Sequence, residues 1–587
     1  MNNTYSNQVN LPNLPVPDLK LTIAELLNWT QPIVSKSDFL DLQKEAEAFL
    51  ENEGPVLQKK LKTWDDSLEG SWLKPFWDES YLDFRAPVVA NMNYFALMES
   101  KQFNLLGLTE LVGHFIYQTT RAFIELSDES MSPEFAKDTP LCMDQYRNTM
   151  CTTRIPSRDI DEMRIGELDK KNKHVVLLYR GRFFRLSVTN SKGELYAPEA
   201  FAGMIDDLIS DDMNQGDGIG VFTTAMRDDA AEFYNSLKLN SINKANLRVI
   251  EDALVVVCID DEAESENEIL RNLLMSTSSN RYFDKACQLI INRNGSIGFN
   301  NEHTGADGTT WFTIFEKIHN NVGLDKREDT HALSLDLSVM ELEWALSDAQ
   351  IQRLLFMKKT HELLEDQYFV DALVFDDFGK NEIKKLKVSP DAFFHVALQA
   401  AQYKLNGHLN STYEPVAMRY FKEGRTECNR PCTSEALDFA REISSESADE
   451  SVLRDLAKKA CKAHGARIKK CQSGEGVERH LLGLQSIQRK YGQEVGVHDM
   501  PSLFNTTAYK SLKHDHISTS GLGYEYVKAF GFGPVVTDGF GIGYGVRTNS
   551  ITICTSSRSE RRSDLEKLNH YFFDMLRSLR TVLAEEH

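Results

Sequence analysis

The sequence predicts an α/β protein of two domains. Segments with strand character alternate with helical segments in both halves of the chain. The 587 residues exceed what one hydrophobic core organises, so two domains are the natural division, with three as the alternative. Hydrophobic residues at 41% and charged residues at 26% are ordinary for a globular chain. Neither an internal repeat nor a low-complexity segment interrupts the pattern.

The elements follow in order. Residues 37–63 read as one helix, capped by Ser37 or Asp38, with Phe39, Leu42, Ala46, Phe49 and Leu50 on one face. Residues 174–188 read as a hairpin with Arg180 and Gly181 at its tip. Helix is expected over 226–253, a buried strand over 253–260, and an acidic loop or helix start over 261–268. An apolar strand at 287–291 leads to Asn294-Gly295, a pair suited to a two-residue hairpin turn, and 296–299 is the return strand. Further helices are expected around 338–364 and 389–405. The glycine-rich stretch 502–557 reads as strands and turns. A closing helix over 558–584 places Leu565, Leu568, Phe572, Met575, Leu576, Leu579 and Leu583 on one face.

Charge and composition exclude some functions. Net charge is −21, from 66 basic and 87 acidic residues. That argues against a general nucleic-acid binder, whose affinity rests on phosphate neutralisation. No apolar run approaches the ~20 residues of a membrane helix. The first residues, MNNTYSNQVNLPNLPVPDL, have no basic and apolar leader pattern, and the last, TVLAEEH, are not a peroxisomal signal. A cytoplasmic protein without a membrane partner is expected. Nine scattered cysteines, some in apolar runs (Cys258, Cys287), suit a reducing compartment. Cys428, Cys432, Cys461 and His464 are too irregularly spaced for a zinc site, so no metal is expected.

Three stretches carry chemistry. In NNEHTGADGTT, residues 300–310, His303 lies just past a strand end, in the pattern H-x-x-x-D-G completed by Asp307 and Gly308. By position alone it reads as a solvated loop histidine. In FGKNEIKKLKVSPDAF, residues 378–393, Lys380, Lys384, Lys385 and Lys387 crowd together before a helix start at Ser389-Pro390. They form a solvated run or a site for a phosphorylated ligand. Ser518-Thr519-Ser520 satisfy local backbone or donate to an oxyanion. The alternating Gly539, Gly541, Gly543 and Gly545 lack the strand–turn–helix context of a dinucleotide loop and signal close backbone approach or bends.

Ten segments in order resemble the carnitine/choline acyltransferase family over nearly the whole chain. Among them are SYLDFRAPVV (80–89), PLCMDQYRNTMCTTRIPSRDIDEM (140–163), TYEPVAMRYFKEGRTE (412–427), VERHLLGL (477–484), HISTS (516–520) and FGPVVTDGFGIGYG (532–545). The resemblance implies a CoA-dependent acyltransferase fold like that of chloramphenicol acetyltransferase. It has two similar domains, each a mixed β-sheet flanked by helices, with an active-site tunnel at their interface. On that basis residues 1–65 pack with the C-terminal domain, 66–345 form the N-terminal domain, and 346–587 form the C-terminal domain.

The resemblance also implies roles. His303 is the general base that deprotonates the acceptor hydroxyl for direct attack on the thioester, without an acyl-enzyme. Asp307 holds the loop or orients the base. Ser520 supports the oxyanion and Ser518 contacts the acceptor. Lys380 and Lys384 match the CoA 3′-phosphate site, with Asp391 at the adenosine end and Glu414 as a further CoA contact. Gly521 stands where the family usually has Gln. Arg479, with Tyr413 and Thr426, matches the set that binds a carnitine carboxylate; choline-specific relatives have Asn and Val at the Arg and Thr positions. Phe532 matches an aromatic that packs on the trimethylammonium, and Tyr81 belongs to the same pocket. Phe530 stands where long-chain relatives have Gly, so it blocks the acyl channel. The expected reaction is reversible transfer of a short acyl group, acetyl first, between CoA and L-carnitine by a monomer. Choline or another quaternary alcohol, or a longer acyl chain, is the alternative.

Overall fold

The computed structural model describes residues 3–209, 213–276, 279–324 and 336–584. The chain divides into two compact units. The first comprises Met1–Val9, Asp78–Ala372 and Tyr524–Gly533, and the second Asn10–Trp77, Leu373–Gly523 and Pro534–His587. The first unit runs past the boundary expected at 345 because the helix Asp348–Glu365 is fastened to it. His361 Nε2 lies 2.7 Å from the Met275 carbonyl, and Arg353 pairs with Asp229 at 2.5 Å.

The first unit is built on an eight-stranded mixed sheet. Its order is Val339–Glu341, Arg182–Ser187, His174–Tyr179, Val256–Asp260, Cys287–Asn292, Ile297–Glu302, Asn93–Met98 and Val527–Phe532. Only the pairings of Val256–Asp260 with its two neighbours are parallel among those described. The central strands are buried along their whole length, hence their continuous apolar runs. The last strand comes from far along the chain: Phe530 stands opposite Ala96 and Phe532 opposite Tyr94.

Two hairpins show how local chemistry sets register. Arg180 and Gly181 have φ of 49° and 72°, the paired left-handed geometry of a two-residue turn, as the sequence suggests. The hairpin before His303 differs from expectation. Asn292 N–H donates to the Ser296 carbonyl, leaving Arg293, Asn294 and Gly295 as a three-residue loop. Gly295, at φ 81°, takes the left-handed position that such loops require.

Elsewhere long helical stretches are subdivided. The run expected over 37–63 is two helices, Lys36–Glu51 and Glu53–Asp66, broken at Asn52 with φ −116° and ψ −90°. Ser35, not Ser37 or Asp38, caps the first by accepting from Asp38 N–H. Arg227–Leu237 and Ser241–Asp252 are likewise separate, because Asn240 caps the second through two N–H bonds. Residues 339–341 form an edge strand rather than helix, and the following helix starts only where Ser347 and Gln350 form a reciprocal cap.

Five strands of a six-stranded sheet lie wholly in the second unit, in the order Ile551–Arg558, Phe540–Val546, Ile517–Gly521, Thr412–Ala417 and Thr426–Asn429. Its centre is parallel and its flanks antiparallel. Helices Pro390–Asn406 and Arg562–Leu583 pack on each other, and all seven apolar residues expected on the closing helix are buried.

Gly298 and Gly295 sit in one hairpin under different constraints. A Cβ on Gly298 would lie 2.5 Å from the Ala96 carbonyl oxygen and 2.6 Å from Leu273, whereas one on Gly295 meets nothing within 4 Å. Gly298→Ala is expected to cost about 1–3 kcal/mol through overpacking. Gly295→Ala is expected to cost about 1 kcal/mol through its left-handed backbone. Thermal unfolding of the two variants should show the larger loss for Gly298→Ala; equal midpoints would refute the packing argument.

Candidate functional site

In the first unit the strand Ile297–Glu302 delivers His303 to its end, and the helix Gly308–Asn321 begins five residues later with Asp307 at its N-cap. The His303 side chain is 31% exposed and that of Asp307 9%. The two ring nitrogens have different neighbours. Nδ1 lies 3.1 Å from the Tyr81 hydroxyl, and Nε2 lies 3.6 Å from Asp307 Oδ1. Tyr81 and Tyr94 present ring edges or faces to the imidazole at 5.5 and 5.1 Å.

Asp307 is anchored independently of the histidine. Its N–H donates to Gln145 Oε1 at 2.7 Å, and Gln145 Nε2 donates to its Oδ2 at 2.8 Å. The loop is thus fixed by Gln145, while the other carboxylate oxygen stands beside the imidazole.

Arg154 holds this arrangement from beneath. It is 0% exposed. Its Nε donates to Asp161 at 2.7 Å, its NH1 to Glu302 and Thr304 at 3.4 and 3.3 Å, and its NH2 to the Tyr81 carbonyl at 2.8 Å. Both neighbours of His303 and the backbone of Tyr81 are therefore tied to one guanidinium. The residue stands inside TTRI, a strand of β-formers, and nothing in that run says that its side chain is buried or where it points.

Phe530 is buried in an aromatic cluster that continues from the imidazole. Its ring lies 6.2 Å from Tyr94 and 5.3 Å from Phe312, both edge-on. Phe532, two residues on, is half-buried and lies 5.9 Å from Phe530.

In the second unit Arg479, Tyr413 and Thr426 come together. Arg479 lies in the first turn of Glu478–Val495. Its NH2 donates to the Tyr413 hydroxyl at 3.0 Å and to Thr426 Oγ1 at 3.4 Å, and its Nε to the Thr426 carbonyl at 3.0 Å. Trp77, which the sequence did not single out, stacks beneath the guanidinium at 4.0 Å. Only tertiary packing pairs residues 402 positions apart. Glu427 accepts from Arg479 N–H and Cys428 N–H. Burial pushes its carboxyl up to about 7 against the pull of Arg479. Its neutral form leaves the guanidinium charge available to an anion.

Ser518 and Ser520 alternate with Thr519 along Ile517–Gly521, so the two serines share a face. Ser518 pairs in register with Tyr413 on one side and Gly541 on the other, and Ser520 with Gly543. The glycines place no side chain of their own beside either serine. Thr519 is used structurally, donating to the Tyr413 carbonyl at 2.7 Å. Gly521 pairs with Tyr544, and a Cβ there would meet the Tyr544 ring at 2.6 Å.

Asp391 and Glu414 lie in a buried polar network. Tyr544 donates to Asp391 at 2.6 Å. Glu414 Oε2 is 2.8 Å from His464, 2.8 Å from Asn429 and 3.3 Å from His395. Burial favours a neutral Glu414, but His395 and His464 hold its carboxyl well below the usual range. Burial, aided by Glu414, instead pushes Asp391 up. His395, Glu414 and His464 bring three ligand atoms within 4.8 Å of one another and are the group among the described residues that could hold a metal ion. The Cys428, Cys432 and Cys461 thiols are buried and reduced, and burial pushes that of Cys461 up to about 12. Lys380 and Lys384 are exposed on the short helix Lys380–Lys385.

Comparison with known proteins places this geometry in a family. The profile of the choline/carnitine O-acyltransferase family matches residues 14–574. The carnitine O-acetyltransferases of Columba livia and Homo sapiens are each 28% identical, over 98% of this chain and 94% of theirs. The mitochondrial carnitine O-palmitoyltransferase 2 of Homo sapiens is also 28% identical, over 98% of this chain and 93% of its own. Among solved structures, the TRI3 trichothecene 15-O-acetyltransferase of Fusarium sporotrichioides aligns over 86% of this chain and 94% of its own, with 11% identity and a TM-score of 0.38. With a family profile covering almost every residue from 14 to 574, the chain belongs to the choline/carnitine O-acyltransferase family and is an acyltransferase.

Proposed function

We propose that the protein transfers a short acyl group, acetyl first, reversibly between CoA and the hydroxyl of L-carnitine. The observation that carries the reading is the Arg479–Tyr413–Thr426 cluster. A buried guanidinium with two hydroxyls suits a carboxylate, which carnitine has and choline lacks. Trp77 and Glu427 support the same reading: one holds the guanidinium plane by stacking, and the other, when neutral, leaves its charge uncompensated.

The mechanism follows from the side chains. His303 takes the proton of the carnitine hydroxyl as it attacks the thioester carbonyl, then returns it to the CoA thiolate. Asp307 and Tyr81 set the ring orientation. Ser520 donates to the oxyanion, Ser518 contacts carnitine, and the trimethylammonium packs on Phe532 and Tyr81. Lys380 and Lys384 meet the 3′-phosphate of CoA, with Asp391 at the adenosine end and Glu414 as a further CoA contact. Phe530, locked between Tyr94 and Phe312, limits the acyl chain. We place the enzyme in the cytoplasm as a monomer. Reduced, buried cysteines support a reducing compartment, and no helix among the described residues is long and apolar enough to cross a membrane.

The deciding assay follows thiol release from acetyl-CoA with L-carnitine or choline. Release with carnitine alone is expected, and His303→Ala should lower kcat by roughly a thousandfold; unchanged turnover in that variant would remove the base assignment. Arg479→Asn should raise the carnitine KM by roughly thirtyfold or more, the worth of a charge-assisted hydrogen bond, and permit choline turnover. An unaltered carnitine KM would sink the carboxylate assignment. Phe530→Gly should extend the accepted acyl chain to octanoyl-CoA and beyond; an unchanged chain-length profile would clear Phe530 of that role.

A further inference from the structure

In the first unit the short helical turn Asp144–Asn148 holds the loop that carries His303 at two points. Gln145 is the first. It is buried, at 3% exposure, and spends both ends of its amide on one target. Its Oε1 accepts from the Asp307 N–H at 2.7 Å and from the Thr310 hydroxyl at 3.1 Å, while its Nε2 donates to Asp307 Oδ2 at 2.8 Å. An N–H needs an acceptor and a carboxylate needs a donor, so the pair of contacts calls for an amide: a carboxylate side chain lacks the donor and an ammonium lacks the acceptor. Asn148 is the second. Its Nδ2 donates to the Gly305 carbonyl at 3.2 Å, and a Cβ on Gly305 would lie 3.2 Å from the Asn148 backbone oxygen.

The two holds control different things. Asn148 reaches backbone alone. Gln145 reaches the carboxylate, and it thereby selects which oxygen meets the base: Oδ2 is taken by the amide, and Oδ1 stands 3.6 Å from His303 Nε2. The terminal torsion of an aspartate is broad, so the carboxylate plane is set by its partners rather than by the chain. Tyr81 and Tyr94 meet the imidazole as phenols, and Glu302, the preceding residue, is engaged by Arg154 and Thr304. The charge on Asp307 matters most once His303 has taken a proton, because a carboxylate held beside an imidazolium stabilises it without any reorganisation at that moment. A contact that strengthens only then raises kcat and leaves substrate binding alone.

We propose that Gln145 is a positioning residue for acyl transfer, acting through Asp307 by holding its carboxylate against the imidazolium that His303 becomes. The proposal rests on the reading of His303 as the general base and adds to it a side chain 162 positions from the one it serves.

The test uses the whole protein with acetyl-CoA and L-carnitine. Gln145→Met keeps the side-chain length without donor or acceptor, and Gln145→Ala removes it; where one fails to fold, the other decides. Either should lower kcat by roughly ten- to a hundredfold, with both KM values within about threefold. Asn148→Ala, which loosens the same loop at Gly305, should keep kcat within about threefold. Asp307→Ala should cost about as much as Gln145→Met, and combining the two should cost less than about threefold more, because the carboxylate that the amide holds is gone. An unchanged kcat in the Gln145 variants, a loss carried by KM, an equal loss in Asn148→Ala or full additivity with Asp307→Ala would overturn the proposal. If the wild type released no thiol from any acyl-CoA, the functional reading would fail separately. The His303 ring would then be titrated by nitrogen NMR, its signals assigned by their loss in His303→Ala. A lower midpoint in Gln145→Met than in the wild type supports the proposal, since a carboxylate released from the ring favours imidazolium less; equal midpoints refute it.

Discussion

The first unit depends on the burial of Arg154. A guanidinium with no exposure must have its charge balanced and its donors used, or the cost reaches several kcal/mol. Here the balance is a chain of buried charges. Asp161 is shared by Arg154 and Arg227, and Arg227 also pairs with Asp284 at 2.8 Å. Burial alone would raise the Asp161 carboxyl, but Arg227 and Arg154 hold it below the usual range. The remaining Arg154 donors reach Glu302, Thr304 and the Tyr81 carbonyl. A charge that cannot be moved or hydrated thus fixes the segments on both sides of His303, which itself stays 31% exposed. Rigidity is supplied below the histidine and access above it.

The second unit solves the reverse problem. Arg479 is also buried, but its neighbours on the guanidinium are a carbonyl, two hydroxyls and an indole face rather than carboxylates in a bidentate pair. The nearest acid, Glu427, accepts from backbone N–H groups, and its burial favours the neutral form. Arg154 is matched by buried carboxylates, whereas the guanidinium of Arg479 meets hydroxyls, a carbonyl and an indole face. The two guanidinium environments differ although both are single arginines in the sequence, and the difference is what supports the receptor role proposed for Arg479.

Much of this was legible in advance where local chemistry dominates. The hairpin tip at Arg180-Gly181, the turn glycine Gly295 and the closing-helix stripe follow from backbone geometry and side-chain period. Helix breaks at Asn52 and Asn240 were missed because apolar periodicity continues across them, while the capping bonds that end and start helices are weak signals beside it. Residues 339–341 were read as helix because a three-residue edge strand has too few positions to show a period. Arg479, Tyr413 and Thr426 were grouped through motif resemblance, and the three side chains do meet. Trp77, Gln145 and Arg154 were not: the partners they hold, Arg479 for Trp77, Asp307 for Gln145 and Tyr81, Glu302 and Thr304 for Arg154, lie 73 to 402 residues away, with no pattern of their own, so only the folded chain discloses them.

Gly521 shows how one departure propagates. The residue pairs with Tyr544, whose ring occupies the space a side chain at 521 would need. The same tyrosine donates to Asp391, and Asp391 feels the Glu414 carboxylate held by two stacked histidines at 5.0 Å. A longer side chain at 521 would have to displace a ring that completes this buried network, and leaving Asp391 without its donor would expose the cost of an unpaired buried acid. Gly521 is therefore a consequence of the Tyr544–Asp391 bond rather than a missing contact. Any polar interaction that a glutamine would have offered a nucleotide must come from elsewhere in the chain.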